Sequence, residues 1–188
     1  MARRDRFDGQ FNSVIAGARA GSPAAFERIF SALAPVVEGY LRLQGAAEPE
    51  DLTSEVFVAV LRNVGSFTGD EPGFRSWVFT IAHRRLLDER RRAARRPAAA
   101  PLSEAPEARA PDDVEQTVEE ALSTAQVLAL CRRLSADQRD VLLMRLLGHL
   151  TVDEVADALD KSRGAVKALQ RRGFQAISRM IEREGVPL

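Results

Sequence analysis

The stretch from Ser162 to Arg172 sets Ser162, Arg163, Ala165, Lys167, Gln170, Arg171 and Arg172 on the opening turns of one helix. Hydroxyl, guanidinium, ammonium and amide donors at a helix start suit both phosphates and base edges. The residues just upstream supply the other half of a DNA-reading helix-turn-helix. Thr151-Val152-Asp153-Glu154 is a capping box that opens a short helix ending near Leu159. Asp160-Lys161-Ser162 is a turn short enough to force a steep crossing, and the small Ala156 lets the two helices approach. Val155, Leu159, Val166 and Leu169 can then share one small core, with the second helix lying in the major groove. The plainer account is a helical hairpin with a solvated basic face; caps, turn length and donors together favour the DNA reading.

A second basic element lies upstream. Residues 83–97 hold seven arginines and His83 against Asp88 and Glu89. A charge run is usually a solvated face, but Arg84, Arg85, Arg91, Arg92 and Arg95 cover much of the helix circumference. Phe67, Phe74, Trp77 and Phe79 precede them. Rings beside a basic track suit unpaired bases, which stack while arginines hold the backbone. Trp77 sits on the apolar stripe, where core packing is the favoured account. The polar loop Ser66–Glu71, with Phe67 and Asp70, has the composition of a pocket for a flipped base. A third cluster is Asp51, Leu52, Glu55, Val56 and Phe57. Acids in a first helical turn favour the dipole; equally, carboxylates beside apolar side chains form a docking surface for a basic partner helix.

Helices must position all of these groups. Phe26, Ile29, Phe30, Leu33, Val37, Tyr40 and Leu41 follow the i, i+3, i+4, i+7 rule, as do Leu52, Val56 and Val60, then Phe74, Trp77, Val78 and Ile81. No run of alternating β-branched residues appears. Residues 97–113 hold four prolines and no helical period, which predicts a flexible linker. Beyond it, Leu122, Val127, Leu130 and Leu134 mark a further helix. Ser135-Ala136-Asp137-Gln138 caps the next, and Ser162 caps the last, whose buried stripe is Val166, Leu169, Gly173, Ile177 and Met180. The expected fold is all-α: a bundle of about four helices over residues 8–96, a linker over 97–113, and a helix-turn-helix domain over 114–184.

The formal charge is zero, but its distribution is uneven. Residues 1–97 and 122–188 each carry net +3, and residues 98–121 carry −6. Two basic lobes flanking an acidic connector point to nucleic acid where the total does not. Cys131 is alone, so no disulfide framework exists, and with His83 and His149 the only histidines a Cys/His metal cluster is not expected. No metal or cofactor is implied, and no nucleophile–base spacing suggests an enzyme. No long apolar run or signal-peptide core is seen, which predicts a soluble, cytosolic protein without direct membrane insertion.

With these residues in view, the chain resembles the extracytoplasmic-function (ECF) group of bacterial sigma factors over nearly its whole length. AAFERIFSALAPVVEGYL is similar to the opening helix of the sigma-2 domain, and EDLTSEVFVAVLRNVGSF to the helix that docks on the clamp coiled coil of RNA polymerase. FRSWVFTIAHRRLLDERRR resembles the segment that opens and reads the −10 element. LSADQRDVLLMRLLGHLTVDEVADALDKSRGAVKALQRR resembles sigma-4, whose last helix reads the −35 element. There are departures. Arg84 stands where the family often has Asn, Asp160 where the turn usually has Gly, and Ala165-Val166-Lys167-Ala168-Leu169-Gln170 where Thr-Val-Lys-Ser-Arg-Leu is common.

The resemblance implies a promoter-specificity subunit. Asp51, Leu52, Glu55, Val56 and Phe57 would bind core RNA polymerase. Phe67, Asp70, Trp77, His83, Arg84, Arg85, Arg91 and Arg92 would capture −10 DNA, and the Ser162–Arg172 residues would read −35 duplex. An anti-sigma factor is a further implied partner, and the nucleoid, through polymerase, the implied location. Free promoter DNA should be bound poorly, because mobile lobes gain effective concentration only when polymerase fixes their separation. The alternative from the residues alone is a helix-turn-helix regulator that works without polymerase. A helical adaptor with basic faces is a third reading.

Overall fold

The computed structural model describes residues 6–95 and 129–184, and every regular element among them is helical. The helices are α1 (Phe11–Arg19), α2 (Pro23–Gln44), α3 (Pro49–Asn63), α4 (Glu71–Arg95), α5 (Ala136–Leu146), α6 (Val152–Leu159) and α7 (Arg163–Glu184). A short 3-10 turn, Val64–Ser66, follows α3, and residues 129–132 are helical ahead of α5. The linker 97–113 and the positions Leu122 and Val127 lie outside the described residues.

Local chemistry fixes the ends of these helices. Ser22 accepts a hydrogen bond from the Ala25 amide and Pro23 opens α2, where a missing N–H costs nothing. The helix closes on Gly45 at φ 81, with Gly45 N–H donating to the Arg42 carbonyl and Ala46 N–H to the Leu41 carbonyl, both at 3.0 Å. That is a Schellman closure, and it needs a residue at ease in the left-handed region. Asp70 starts α4 by accepting from the Gly73 amide at 2.9 Å. Both capping boxes expected ahead of α5 and α6 are formed, at Ser135/Gln138 and Thr151/Glu154.

The first lobe is α1–α4. Ile29, Val37, Tyr40, Leu41, Val56, Val60, Phe74, Val78, Phe79, Ala82 and Leu86 are fully buried in its core. Burial of each of the larger side chains contributes about 1.5–3 kcal/mol. Arg19 secures the far end by donating to the Phe67 carbonyl. The second lobe packs α5 against α7, with α6 across them. Gly173 lies so close to α5 that a β-carbon there would be 2.7 Å from Leu142 Cδ1.

The two lobes are not apart. One apolar cluster runs through both, from Tyr40 and Phe79 to Met144, Leu150 and Val155. Helix α4 packs on α6, and α2 on α5. The sequence reading treats the lobes as separately mobile; the structure joins them by a continuous core and by polar contacts between α2, α4 and α5.

Candidate nucleic-acid interface

The recognition half is built from α6, the turn and α7. Asp160 closes α6 in the left-handed region, φ 50 and ψ 49. A short polar side chain tolerates that conformation better than most, so the turn that usually uses Gly is made here with Asp. Ser162 accepts from the Ala165 amide at 3.2 Å and starts α7 as its N-cap. Val166 is wholly buried and Leu169 nearly so, with Val155 and Ala156 opposite. This packing turns Ser162, Arg163, Lys167, Arg171 and Arg172 outward, with Ala165 and Gln170 half-buried at the edge. Asp153 Oδ1 holds Arg163 Nε at 2.6 Å, and Asp137 Oδ1 holds Lys161 Nζ at 3.2 Å.

The basic track of α4 begins later than the composition suggests. Arg75 is buried and paired with Glu71, Nη2 to Oε1 at 2.9 Å. Beyond Arg75 the arginines turn outward: Arg84, Arg91, Arg92 and Arg95 are exposed, Arg85 is half-buried, and Arg91 pairs with Asp88 at 3.1 Å. Asp70 is exposed beside Thr68 and Gly69 at the near end of this helix.

Four groups of residues named from the sequence lie buried or half-buried in this structure. His83 is 5% exposed and its Nδ1 lies 3.0 Å from the Tyr40 hydroxyl. It points into the lobe interface, because 83 continues the Phe79–Ala82–Leu86 stripe of α4. Phe67 is buried, with its ring 5.1 Å from Phe74 and 5.4 Å from Trp77, so it closes the end of the bundle. Trp77, half-buried against both phenylalanines, is an edge of the core. Leu52, Val56 and Phe57 are 5%, 0% and 2% exposed, since that side of α3 meets α2 and α4. The outer face of α3 instead carries Asp51, Ser54, Glu55, Val58 and Leu61.

Val58 and Leu61 belong to an apolar surface missed from the sequence. Phe30, Val58 and Leu61 are each more than 40% exposed. Leu61 also lines a groove of about 460 Å³ with Pro23, Phe26 and Phe30. The available signal was their spacing: 58 and 61 fall on the side of α3 opposite the buried stripe, next to Asp51 and Glu55. Electrostatics concentrate elsewhere, at the lobe interface. Burial pushes the Tyr40 hydroxyl well above its ordinary range, aided by the Asp140 charge. Burial also raises the Asp140 carboxyl and lowers the His83 imidazole, each partly offset by the other's charge. Among the described residues, no group of three or more His, Cys, Asp or Glu side chains is placed to hold a metal ion, and no helix is long and apolar enough to cross a membrane.

The comparisons follow the same division. Residues 29–96 match the Sigma-70 region 2 family and residues 132–179 the Sigma-70 region 4 family. The ECF RNA polymerase sigma factor BldN of Streptomyces coelicolor is 34% identical over 174 residues, which are 89% of this chain and 64% of BldN. The ECF RNA polymerase sigma factor ShbA of Streptomyces griseus is 35% identical over 75% of this chain and 76% of its own length. The chain thus spans just under two thirds of BldN and about three quarters of ShbA. The fold is shared with CnrH, whose structure was solved in complex with the cytosolic domain of CnrY, at TM-score 0.65 and 21% identity over 90% of this chain and 95% of CnrH. With two sigma regions in order and relatives of this identity, the chain belongs to the ECF family of RNA polymerase sigma factors.

Proposed function

We propose that this chain binds core RNA polymerase, reads −35 and −10 elements, and initiates transcription at promoters of its own. The single observation that carries the reading is the outward set Ser162, Arg163, Lys167, Arg171 and Arg172 on a helix-turn-helix whose caps and turn are fully formed. Residues 114–184 read the −35 duplex through this face. Residues 8–96 dock on polymerase and capture the −10 strand, through Asp70 and the outward arginines Arg84, Arg85, Arg91 and Arg92. Unstacking a base costs a few kcal/mol, offset by pocket and backbone contacts once the strand is held.

The docking surface is the outer face of α3, where Asp51 and Glu55 flank Val58 and Leu61. An acidic rim around an apolar centre suits an amphipathic basic helix: the charges steer it and the apolar contacts hold it. An anti-sigma partner that covers this face would inhibit by exclusion. The anionic stretch 98–121, net −6, lies along a positively charged channel of polymerase in this reading and not along DNA. The chain acts as a non-enzymatic subunit, in the cytoplasm and at the nucleoid through polymerase. Run-off transcription with purified core enzyme tests the proposal: new start sites, mapped with and without the chain, are the expected result. Core enzyme that initiates nowhere new overturns it.

A further inference from the structure

Residues 6–28 precede the match to Sigma-70 region 2, which starts at Ile29. They nonetheless build one wall of the loop that leads into α4. Phe7 and Phe11 are buried with their rings 5.5 Å apart, and the Phe11 ring lies 5.7 Å from Phe74. The Arg6 backbone N–H donates to Glu71 Oε1 at 3.2 Å, and the same oxygen accepts from Arg75 Nη2. Helix α1 packs on the 3-10 turn Val64–Ser66, and its last residue, Arg19, donates through Nη2 to the Phe67 carbonyl.

The loop Thr68–Asp70 is exposed at all three residues, yet its shape is set from both ends. Gly69, at φ 147, folds back over the Phe67 ring so closely that a β-carbon there would lie 3.1 Å from Cζ. Asp70 is tied to the start of α4 by its bond from the Gly73 amide. At the other end the Phe67 ring is held by Phe74 and Trp77 of α4, and the Phe67 carbonyl by Arg19 of α1.

These two restraints are not equivalent. Packing fixes a ring, but it leaves the following peptide plane free to turn. The plane between Phe67 and Thr68 decides where Thr68 and Gly69 point, and a guanidinium bonded to its oxygen fixes that plane. Groups carried on loops are held less precisely than groups on helices unless a supporting shell locks them. Here the support comes from a helix 48 positions away. If the guanidinium is removed, water can bond the carbonyl instead, so the net loss of stability is small while the plane gains freedom.

We propose that Arg19 is a positioning residue for −10 recognition: through the Phe67–Thr68 peptide it holds loop 68–70 in the one shape that receives an unstacked base. The brace itself follows from the contacts; its role in promoter choice rests on the sigma-factor reading proposed above. Two measurements on the full chain keep these apart. In the free protein, backbone order parameters at Thr68–Asp70 should lie in the rigid range near about 0.85 for wild type and fall below about 0.6 in Arg19→Ala. In the complex with core polymerase, open-complex formation is compared between the chain's own −10 element and single-base variants of it. Arg19→Ala should lose about tenfold of that discrimination, the scale of one charge-assisted hydrogen bond, with affinity for core and the −35 footprint as in wild type. Arg19→Lys, which keeps a donor, should restore most of it. If Arg19→Ala loses its helical signal, Arg19→Met, which keeps the stem and lacks a donor, carries the same expectation. A wild-type loop that is already mobile, or order parameters unchanged in the variant, overturns the brace. An equal loss at every promoter, with discrimination intact, overturns the positioning role. A loop that loosens in the variant while wild type initiates nowhere new with core would instead leave the brace standing and overturn the sigma-factor reading.

Discussion

Asp153 and Arg163 are joined across the helix-turn-helix, Oδ1 to Nε at 2.6 Å, with both side chains more than half exposed. A pair this exposed adds little to stability. What it does is orient the guanidinium: one edge is occupied by Asp153, and the terminal amino groups remain for a guanine edge or a phosphate. Asp153→Ala should therefore lower discrimination at the base pair facing Arg163, by about 1–3 kcal/mol if that contact is to a base edge. Binding to unrelated duplex should hold or rise, since a carboxylate near phosphates has been removed. Competition footprinting of the polymerase complex on −35 variants measures both.

Lys167 and Arg171 face outward on the same helix. Lys167→Ala and Arg171→Ala should each weaken −35 binding, by about 1–3 kcal/mol for a base contact, or uniformly across sequences with a shallower salt dependence for a phosphate contact. Footprints identical to wild type in both variants would remove α7 from the duplex.

The outer face of α3 predicts a different loss. Asp51→Arg with Glu55→Arg should abolish co-purification with core polymerase and leave the circular dichroism spectrum intact, because both side chains are exposed. Leu61→Asp should act likewise through the apolar part of the same surface. Truncation on the inner face, as in Val56→Ala, should lower the melting temperature instead, since Val56 is wholly buried.

Gly148→Ala should destabilise the second lobe by about 1–3 kcal/mol. A β-carbon at 148 would stand 2.7 Å from the Met144 carbonyl oxygen and 2.5 Å from Leu150 Cδ1. A side-chain tip can turn aside, but a backbone carbonyl in a helix cannot. Thermal unfolding of the variant beside wild type gives the answer.

Stability should also depend on pH through the lobe interface. His83 faces Tyr40 of α2, Arg90 of its own helix, Asp140 of α5 and Lys161 of the turn before α7. Burial lowers its proton affinity, so the unfolded imidazole charges near its ordinary value of about 6.5 while the folded one resists. Stability is then lost as pH falls from about 6.5 toward the folded value. Asp140 acts in the opposite sense: burial raises its pKa, so the folded state holds that proton more tightly and loses stability as pH rises from about 3.9 to the raised value. His83→Gln should flatten the loss below about pH 6.5, read from melting temperatures across that range. An unchanged profile would show that the imidazole titrates alike in both states.

What could be read without coordinates was what is local. A capping box is decided within four residues, so the starts of α5 and α6 and the Ser162 cap were legible. The direction of a helix face was not. Leu52, Val56 and Phe57 looked like a docking patch because acids lie beside them, but α2 and α4 cover that side and leave Val58 and Leu61 outside. His83 sat within an arginine run, yet the stripe it continues is the stronger constraint. Gln44 Nε2 donates to Asp140 Oδ1 at 2.6 Å, but the two are 96 positions apart, and each reads as an ordinary polar residue until the lobes meet. Their only trace in the sequence is an amide on an apolar stripe.

The outward set of α7 donors is uncovered while the two lobes are in contact. In the promoter-reading function proposed above, the chain would brush along duplex with one lobe while the other rests against it, sampling sites weakly and leaving them quickly. Commitment would come only with the second grip, so the distance between two short words of DNA becomes as much a part of the address as their spelling.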